Sequence, residues 1–295
     1  MDLASRPFVK MNGLGNEILV IDLRADPVEV SPQAARALAR PGVLPFDQAM
    51  VLYPPRRAGT AAFVRILNSD GSASAACGNG TRCIAALEAQ VTGADHVVFE
   101  SEAGLLDCRV HADGTVSVDM GAPRFSWRDI PLAHDVGDTT AVMIEGFEPL
   151  GPASFVSMGN PHAVFFVPDA GAVDVAGLGA ALERHPLFPE RANISFASLA
   201  GPDEILLHVW ERGAGRTRAC GTAGCAAAVA GARTGRTGRT VRVRLPGGLL
   251  GIDWRPAGQG QGEGQGHDNG HVVMTGPVEH EFSGRITAAM LGEAA

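Results

Sequence analysis

The sequence contains a single lysine, Lys10, among its 295 residues. An enzyme that uses pyridoxal phosphate needs a lysine for the Schiff base, normally deep in its site. Lys10 lies near the N-terminus with no phosphate-binding motif beside it, and the Gly-Lys-Ser/Thr sequence of a phosphate loop is absent from the chain. The sequence therefore argues against this cofactor, and we expect the protein to use none.

Long apolar runs are also lacking. No stretch of the sequence approaches the length of apolar chain that a membrane helix needs. Residues 1–10 lack the basic-then-apolar arrangement of a signal peptide. We therefore expect a cytoplasmic protein with no membrane partner.

Basic residues are fewer than acidic residues, with 24 lysines and arginines against 32 aspartates and glutamates. The formal net charge of −8 argues against a nucleic-acid partner. A run of arginines between 233 and 244 is interpreted as a solvated loop and strand.

A length of 295 residues with 45% hydrophobic content suits a globular chain of two domains. We expect a small-molecule partner, and a homodimer is compatible with a sequence that does not specify the oligomeric state.

Five cysteines are too few and odd in number for a disulfide framework. Cys77 with Cys83, and Cys220 with Cys225, do not have the close spacing of zinc ligands. We therefore expect no metal site. Cys83, Cys225 and Cys108 fall inside predicted helices or a strand, where they are interpreted as small core residues.

Two related stretches carry the remaining cysteines. Residues 76–83 read Ala-Cys-Gly-Asn-Gly-Thr-Arg-Cys, and residues 219–225 read Ala-Cys-Gly-Thr-Ala-Gly-Cys. Each runs into an alanine-rich segment, which favours a helix that begins close to Cys77 or Cys220. The free N–H groups at a helix start favour anions, so each start is expected to lower a thiol pKa and is also able to hold a substrate carboxylate.

The two stretches belong to an internal duplication. Asn16 and Asn160 differ by 160 − 16 = 144 positions, and Cys77 and Cys220 by 220 − 77 = 143. We expect two similar α/β domains, each with a mixed sheet wrapped around one central apolar helix. The expected domains are residues 1–124 with a returning tail at 278–295, and residues 125–277. A Gly/Gln-rich insertion at 258–269 breaks the offset and is expected to be a mobile loop with no catalytic part.

Pseudo-twofold symmetry is expected to place Cys77 and Cys220 on opposite sides of an interdomain cleft, a common location for ligands. One thiolate would remove a proton from a bound carbon, and the other thiol would protonate its opposite face, inverting the stereocentre. An amino-acid α-carbon is a very weak acid, so such a site needs positioned acid and base groups, exclusion of water and helix N-termini. A structural disulfide between the two cysteines is the alternative.

Eight motifs in order resemble the diaminopimelate epimerase family over nearly the whole chain. They are Met-Asn-Gly-Leu-Gly-Asn (11–16), Phe-Asp-Gln (46–48), Asn-Ser-Asp-Gly-Ser (68–72), Cys-Gly-Asn-Gly-Thr-Arg-Cys (77–83), Met-Gly-Asn-Pro-His (158–162), Pro-Glu-Arg-Ala-Asn (189–193), Glu-Arg-Gly-Ala-Gly (211–215) and Ala-Cys-Gly-Thr (219–222). The resemblance implies cofactor-independent interconversion of LL- and meso-diaminopimelate, in the synthesis of lysine and peptidoglycan precursors.

The same resemblance implies a role for each matching residue. Cys77 and Cys220 would be the acid/base pair. The groups around the reacting amino acid and its carboxylate would be Asn16, Gly78, Asn79, Gly221 and Thr222. The distal amino-acid end would be bound by Asn68, Asn160, Asn193 and Arg212, with Glu211 taking an ammonium group. Gln48 and His162 would orient their neighbours. An arginine fork for one carboxylate, completed by amides, suits a substrate with two zwitterionic ends.

Some of these residues have a structural alternative. Asparagines beside glycine, such as Asn16 and Asn79, are often turn residues. Arg212 and Glu211 are compatible with an ordinary ion pair, and His162 with a hydrogen-bonded structural histidine.

The sequence departs from the family pattern at several positions, among them Asn12 for histidine, Glu17 for aspartate, Ala73 for an acidic residue and the order Thr222-Ala223-Gly224. The last lies in the first helical turn after Cys220, where it is expected to alter fit or rate without removing the chemistry. Two other functions stay open. They are a racemase of another amino acid, such as histidine, and a non-catalytic amino-acid-binding protein.

Overall fold

The computed structural model describes residues 3–255 and 270–292. The chain divides into two compact units, unit 1 (Met1–Val118 with Gly276–Ala295) and unit 2 (Asp119–Thr275). Each unit has its own hydrophobic core. Phe8, Leu19 and Leu67 belong to the core of unit 1, whereas Phe155 and Phe196 belong to that of unit 2.

Strands outnumber helices in both units. The strands are β1 (Pro7–Gly13), β2 (Asn16–Asp22), β3 (Gln48–Tyr53), β4 (Phe63–Asn68), β5 (Ala73–Ser74), β6 (His96–Ser101), β7 (Gly104–Val110), β8 (Val116–Asp119), β9 (Ala153–Ser157), β10 (Pro161–Phe166), β11 (Asn193–Gly201), β12 (Glu204–Glu211), β13 (Gly215–Thr217), β14 (Thr240–Leu245), β15 (Gly248–Trp254), β16 (Val272–Gly276) and β17 (Glu279–Arg285). The α-helices are α1 (Pro32–Leu38), α2 (Gly78–Thr92), α3 (Val175–Glu183), α4 (Gly221–Arg233) and α5 (Ala288–Leu291).

Unit 1 is a mixed sheet. Strand β1 pairs antiparallel with both β2 and β17, and β3 pairs antiparallel with β4. Strands β2 and β3 are parallel, which requires a crossover, and α1 lies in that connection. The helix begins at Pro32, because the Ser31 side chain accepts a hydrogen bond from the Ala34 N–H and Pro32 suits the first turn.

Helix α2 packs against β1, β2, β3, β6 and β7 of unit 1. Its first three turns are almost entirely buried, including Ile84 and Ala85, whose side chains are not exposed at all. The helix ends at Gly93, which adopts a left-handed conformation with φ of 73°. A sheet that wraps one apolar helix therefore fixes the position of the residue before it, Cys77.

Unit 2 repeats this arrangement. Strands β9 and β10 are antiparallel, β10 and β11 are parallel, and α3 lies in the crossover, where the Asp174 carboxylate accepts a hydrogen bond from Gly177 N–H. Helix α4 packs against strands β9, β10, β11, β12, β14 and β15. Its alanine-rich middle is buried throughout. A helix without a polar face requires such enclosure, as the sequence predicted.

The order of elements from β1 to β8 recurs from β9 to β16, and α3 and α4 occupy the positions equivalent to α1 and α2. This confirms the expected α/β fold built from an internal repeat.

The units divide at Val118/Asp119 and Thr275/Gly276, a few residues from the expected boundaries. Arg124 exchanges backbone hydrogen bonds with Ser157 of β9, and Val272 does so with Met120 and Gly121. These bonds assign residues 120–124 to unit 2. Strand β17, after the second boundary, pairs with β1 of unit 1. The Gly/Gln-rich insertion at 258–269 lies outside the described residues.

None of the helices within residues 3–255 and 270–292 combines the length and apolar character that crossing a bilayer requires.

Candidate active site

Cys77 caps the N-terminus of α2. Its backbone is extended, with φ of −149°, and its sulfur accepts a hydrogen bond from the Gly80 N–H at 3.2 Å. The side chain is only 8% exposed. Glycine is required at position 80, since a Cβ there would lie 2.4 Å from Met50 Sδ and 3.2 Å from Cys77 Sγ. The backbone therefore approaches the sulfur closely, and the helix start supplies a donor to it.

Asn16 lies beside this sulfur, at the start of β2. Cys77 Sγ is 3.8 Å from Asn16 Oδ1, and Asn16 Nδ2 donates to Asp47 Oδ2 at 3.0 Å. The same carboxylate oxygen accepts the Glu17 N–H at 2.8 Å. The structure thus brings Asn16 to Cys77, as expected. The structure also places Asp47 in contact with Asn16. The sequence did not mark Asp47 as a site residue, although Asp47 lies in the Phe-Asp-Gln motif.

Gln48 and Asn68 are directly paired residues on β3 and β4. Gln48 Nε2 donates to Asn68 Oδ1 at 3.1 Å, and Asn68 Nδ2 donates to Ser72 Oγ at 2.9 Å. Ser72 Oγ in turn donates to Asp70 Oδ1 at 2.6 Å. Both amides are therefore oriented by a continuous series of hydrogen bonds that ends on a carboxylate.

Gly78 and Asn79 form the first turn of α2, as the motif predicted. Asn79 is only 5% exposed, and its Oδ1 atom has no hydrogen-bond partner within the part of the chain that the structure describes. A buried acceptor of this kind favours a donor from a ligand.

Cys220 occupies the matching position before α4 in unit 2, but its surroundings differ. Its sulfur lies 3.5 Å from Thr222 Oγ1. Burial raises its pKa well above the usual value, and the Glu211 carboxylate adds to the effect. Hydrogen bonds from Thr222 and the Ala223 N–H act in the opposite direction. The N–H at the helix start therefore lowers this pKa, as expected, but burial and a neighbouring negative charge outweigh its effect.

His162 is fully buried on β10. Burial lowers its pKa to about 3, and the Arg212 charge acts in the same direction, so the ring is neutral at physiological pH. Its Nε2 lies 2.9 Å from Asn160 Oδ1, while Asn160 Nδ2 donates to Thr222 Oγ1 at 3.3 Å. The oxygen of Asn160 can only accept, so Nε2 carries the proton. Four expected site residues, from His162 through Asn160 and Thr222 to Cys220, are thus joined in one series of contacts.

Asn193 and Arg212 are also brought together. Asn193 Oδ1 accepts the Arg212 N–H at 2.9 Å, and Asn193 Nδ2 donates to the Pro161 carbonyl at 3.0 Å. Arg212 NH1 donates to the Glu190 carbonyl at 3.2 Å. Asn193 is buried, and its side chain holds the backbone of Arg212 in place through this hydrogen bond. The sequence did not reveal this role.

A second unforeseen support is Glu183, at the end of α3. Its carboxylate accepts hydrogen bonds from Trp210 Nε1 at 2.7 Å and from the Gly213 N–H at 2.9 Å. These two donors flank Glu211 and Arg212, so the carboxylate holds the turn that carries both. No local motif marks Glu183, because its partners are distant in sequence.

The three remaining cysteines lie in α2, β7 and α4, and no disulfide joins any of the five cysteines, all of which lie in the described part of the chain. Burial raises the pKa of Cys83 to about 12 and also raises that of Cys108. The thiols of Cys83 and Cys108 are therefore protonated at neutral pH, which makes them poor nucleophiles.

The two-unit fold recurs in a solved structure of a probable proline racemase from Agrobacterium radiobacter K84. The TM-score is 0.70 at 16% sequence identity, with 98% of this chain and 96% of that chain covered. The chain thus has the two-domain α/β fold found in that protein.

Sequence comparison is more specific. The model of the diaminopimelate epimerase family matches residues 8–126 and 154–281. A diaminopimelate epimerase of Rhodopseudomonas palustris (strain BisB18) is 49% identical over 302 aligned positions, covering 100% of this chain and 99% of the relative. The diaminopimelate epimerase of Methylocella silvestris is 51% identical over 301 positions, with 99% of both covered. The chain belongs to the diaminopimelate epimerase family and is an isomerase.

Proposed function

We propose that this protein interconverts LL- and meso-diaminopimelate by moving the α-proton between two cysteines, without a cofactor. The observation that carries the proposal is the repeated placement of a buried cysteine directly before a buried helix, Cys77 before α2 and Cys220 before α4. Membership of the family supports the choice of substrate.

The proposed reaction requires the two sulfurs to act on opposite faces of one α-carbon. The thiolate of one cysteine takes the α-proton and becomes a thiol, and the electron pair remains on the substrate carbon and carboxylate. The thiol of the other cysteine then delivers its proton to the opposite face and becomes a thiolate. Atoms and charge balance, the stereocentre is inverted, and the enzyme is left ready for the reverse reaction.

In this proposal the substrate α-carboxylate lies against helix N-termini, where free N–H groups stabilise the charge that develops on it. Gly78 and Asn79 begin α2, and Gly221 and Thr222 begin α4. Gly78 and Gly221 have no side chain to obstruct a ligand that approaches these N–H groups.

Glu211 is proposed to take a substrate ammonium group. Its carboxylate raises the pKa of Cys220 in the free protein, after the larger effect of burial. An ammonium that pairs with Glu211 would neutralise this effect and make the Cys220 thiolate easier to form. Binding of an amino acid would thus help to activate the thiol, whereas the free enzyme would keep it protected.

The distal end of the substrate is proposed to bind through Asn68, Asn160, Asn193 and Arg212. The backbone of Arg212 is anchored by Asn193 and its guanidinium by the Glu190 carbonyl, which leaves further N–H donors on the guanidinium for a carboxylate. Gln48 and His162 would orient Asn68 and Asn160.

Cofactor independence agrees with the state of the only lysine. Lys10 is 3% exposed and pairs with Glu17 at 2.6 Å and with Glu281 at 3.6 Å. An amine held as an ammonium between two carboxylates is unsuited to form a Schiff base. A cytoplasmic location and a role in lysine and peptidoglycan-precursor synthesis are part of the proposal and follow from the family resemblance.

The proposal is tested by incubating the protein with LL-diaminopimelate in D₂O and following the α-position by NMR. We expect deuterium to enter together with formation of the meso isomer. Cys77→Ala and Cys220→Ala should each abolish inversion, and normal turnover in either variant would refute the two-thiol mechanism. Exchange with another amino acid but not with diaminopimelate would refute the proposed substrate.

A further inference from the structure

The side-chain amide of Asn16 is held between a carboxylate and a sulfur. Its Nδ2 donates to Asp47 Oδ2 at 3.0 Å, and its Oδ1 lies 3.8 Å from Cys77 Sγ. An ionised carboxylate offers only acceptors, so the nitrogen must face Asp47 and the oxygen must face the sulfur. The two possible orientations of this amide are therefore not equivalent.

The carboxylate of Asp47 is itself held in place by the backbone around it. Its Oδ2 atom also accepts the Glu17 N–H at 2.8 Å. The Asp47 N–H donates to the Glu17 carbonyl at 2.8 Å, and its carbonyl accepts the Ser69 N–H at 3.1 Å. These bonds join the starts of β2 and β3 to the turn after β4, so Asp47 is in a defined position although its side chain is exposed.

The equivalent amide in unit 2 has the opposite orientation. Asn160 Oδ1 accepts from His162 Nε2 at 2.9 Å, which turns Asn160 Nδ2 toward Thr222 Oγ1 at 3.3 Å. That hydroxyl lies 3.5 Å from Cys220 Sγ. The amide oxygen is thus on the sulfur side in unit 1, whereas the amide nitrogen is on the sulfur side in unit 2. The two units therefore differ in the partner of the equivalent asparagine. Asn16 donates to the Asp47 carboxylate in unit 1, whereas Asn160 accepts from the His162 ring in unit 2.

We propose that Asp47 is a positioning residue that holds the Asn16 amide with its oxygen toward Cys77, so that unit 1 presents a hydrogen-bond acceptor beside the sulfur. In the free protein this acceptor pairs with the Cys77 thiol. With an amino acid bound, it receives an N–H of the α-ammonium group. The inference rests on the proposed function, because it assigns Asn16 to the reacting end of the substrate.

Two substitutions at position 47 separate orientation from charge. Asp47→Asn removes the charge but keeps a carbonyl oxygen able to accept both the Asn16 and the Glu17 N–H groups, whereas Asp47→Ala removes every acceptor. We expect kcat/KM for epimerisation to fall about three- to fivefold in Asp47→Asn, as a charged hydrogen bond becomes neutral. We expect a loss of about 10- to 100-fold in Asp47→Ala, as Asn16 loses its orientation.

A double-mutant cycle asks whether Asp47 acts through Asn16. In the Asn16→Ala background, Asp47→Ala and Asp47→Asn should have the same kcat/KM, because the amide to be oriented is gone. If Asp47→Ala still costs 10- to 100-fold in that background, Asp47 has only a structural role and the proposal is overturned. Asp113→Ala is the matched control, since Asp113 also accepts two hydrogen bonds, from the N–H and hydroxyl of Thr115, in a turn of unit 1. It should keep wild-type activity.

A second readout needs no turnover. The rate of iodoacetamide labelling at Cys77, followed by mass spectrometry at one fixed neutral pH, should be several-fold higher in Asp47→Ala than in Asp47→Asn. The freed Asn16 amide can then turn an N–H toward the sulfur and stabilise the thiolate. Equal rates in the two variants would overturn the proposal. Absence of diaminopimelate turnover in the wild type would instead refute the proposed function. The difference in Cys77 labelling rate between Asp47→Ala and Asp47→Asn would still test the role of Asp47.

A charge exchange covers the case in which Asp47→Ala does not fold. Asn16→Asp sets two carboxylates against each other without removing the acceptor for Glu17 N–H. Adding Asp47→Asn removes the repulsion between the two carboxylates and keeps an oxygen for the Glu17 N–H, while an oxygen of residue 16 still faces Cys77. We expect kcat/KM of the double variant to exceed that of Asn16→Asp by about tenfold, because like charges no longer oppose each other at this contact. No recovery would overturn the proposal.

Discussion

Replacing Glu183 with glutamine should measurably destabilise unit 2. The Glu183 side chain is buried, and its two oxygens accept hydrogen bonds from the indole of Trp210 at 2.7 Å and from Gly213 N–H at 2.9 Å. A glutamine can satisfy only one of these donors, because its NH₂ group faces the other. A hydrogen bond to a charged group contributes about 1.5–3 kcal/mol, and a buried donor left without its partner costs about 1–3 kcal/mol.

We therefore expect the free energy of unfolding to fall by about 2–3 kcal/mol at pH 7. For a unit of this size that corresponds to a loss of about 4–12 °C in Tm. All three tryptophans of the chain, at positions 127, 210 and 254, lie in unit 2, so thermal unfolding followed by tryptophan fluorescence reports on this unit. Glu145→Gln, at an exposed position of the same unit, is the matched control and should change stability by less than about 0.5 kcal/mol.

The pH dependence provides a further check. Burial opposes ionisation of Glu183, but hydrogen bonds from Trp210 and Gly213 and the charges of Arg191 and Arg184 hold its pKa below the usual 4.5. A group with a lowered pKa contributes stability above its unfolded value, and this is lost as the pH falls through the folded value. The Tm difference between wild type and Glu183→Gln should therefore be present at pH 7 and shrink below about pH 4.5. Equal Tm values at pH 7 would refute the reasoning.

Three other predictions concern the surroundings of the two cysteines. Gly80→Ala should cost about 1–3 kcal/mol of stability and lower kcat, because its Cβ would lie 2.4 Å from Met50 Sδ and 3.2 Å from Cys77 Sγ; thermal unfolding and the NMR exchange assay measure both effects. The pKa of His162 is about 3 in the folded protein, whereas that of a histidine in the unfolded chain is about 6.5. Lowering the pH from 7 to 5 should therefore reduce the free energy of unfolding by about 2 kcal/mol, because only the unfolded chain gains a proton at this residue. His162→Gln should remove this part of the pH dependence, as measured by chemical denaturation. Iodoacetamide should label Cys220 faster in Glu211→Gln than in the wild type at neutral pH, and an unchanged rate would show that Glu211 does not act on this thiol.

Much of the fold follows from local chemistry in the sequence. Ser31 with Pro32, and Asp174, begin helices because their side chains satisfy free N–H groups, an effect that needs no distant partner. The lack of a polar face on α4 requires that a sheet enclose it. A repeated pattern of such signals is sufficient to predict two similar units, and each cysteine follows as the residue before a buried helix.

Other features depend on residues that are distant in the chain. Asp47 meets Asn16, and Glu183 meets Trp210 and Gly213, only after strands from separate segments have paired. Glu183 does not differ in sequence from an ordinary solvated acid, and the Phe-Asp-Gln motif around Asp47 does not show which donors surround its carboxylate.

The sequence alone was sufficient to determine the class of fold, the duplication and the two helix starts that carry Cys77 and Cys220, since these depend on propensity, capping and the spacing of motifs. Only the tertiary structure decided that the two cysteines have unlike surroundings. The Cys77 sulfur accepts the Gly80 N–H and lies beside the Asn16 amide, whereas burial and the Glu211 carboxylate raise the pKa of Cys220 although the Ala223 N–H also donates to it. The reason is physical: desolvation and the field of neighbouring charges depend on how the folded chain packs around a group, and two similar sequence motifs do not specify that packing.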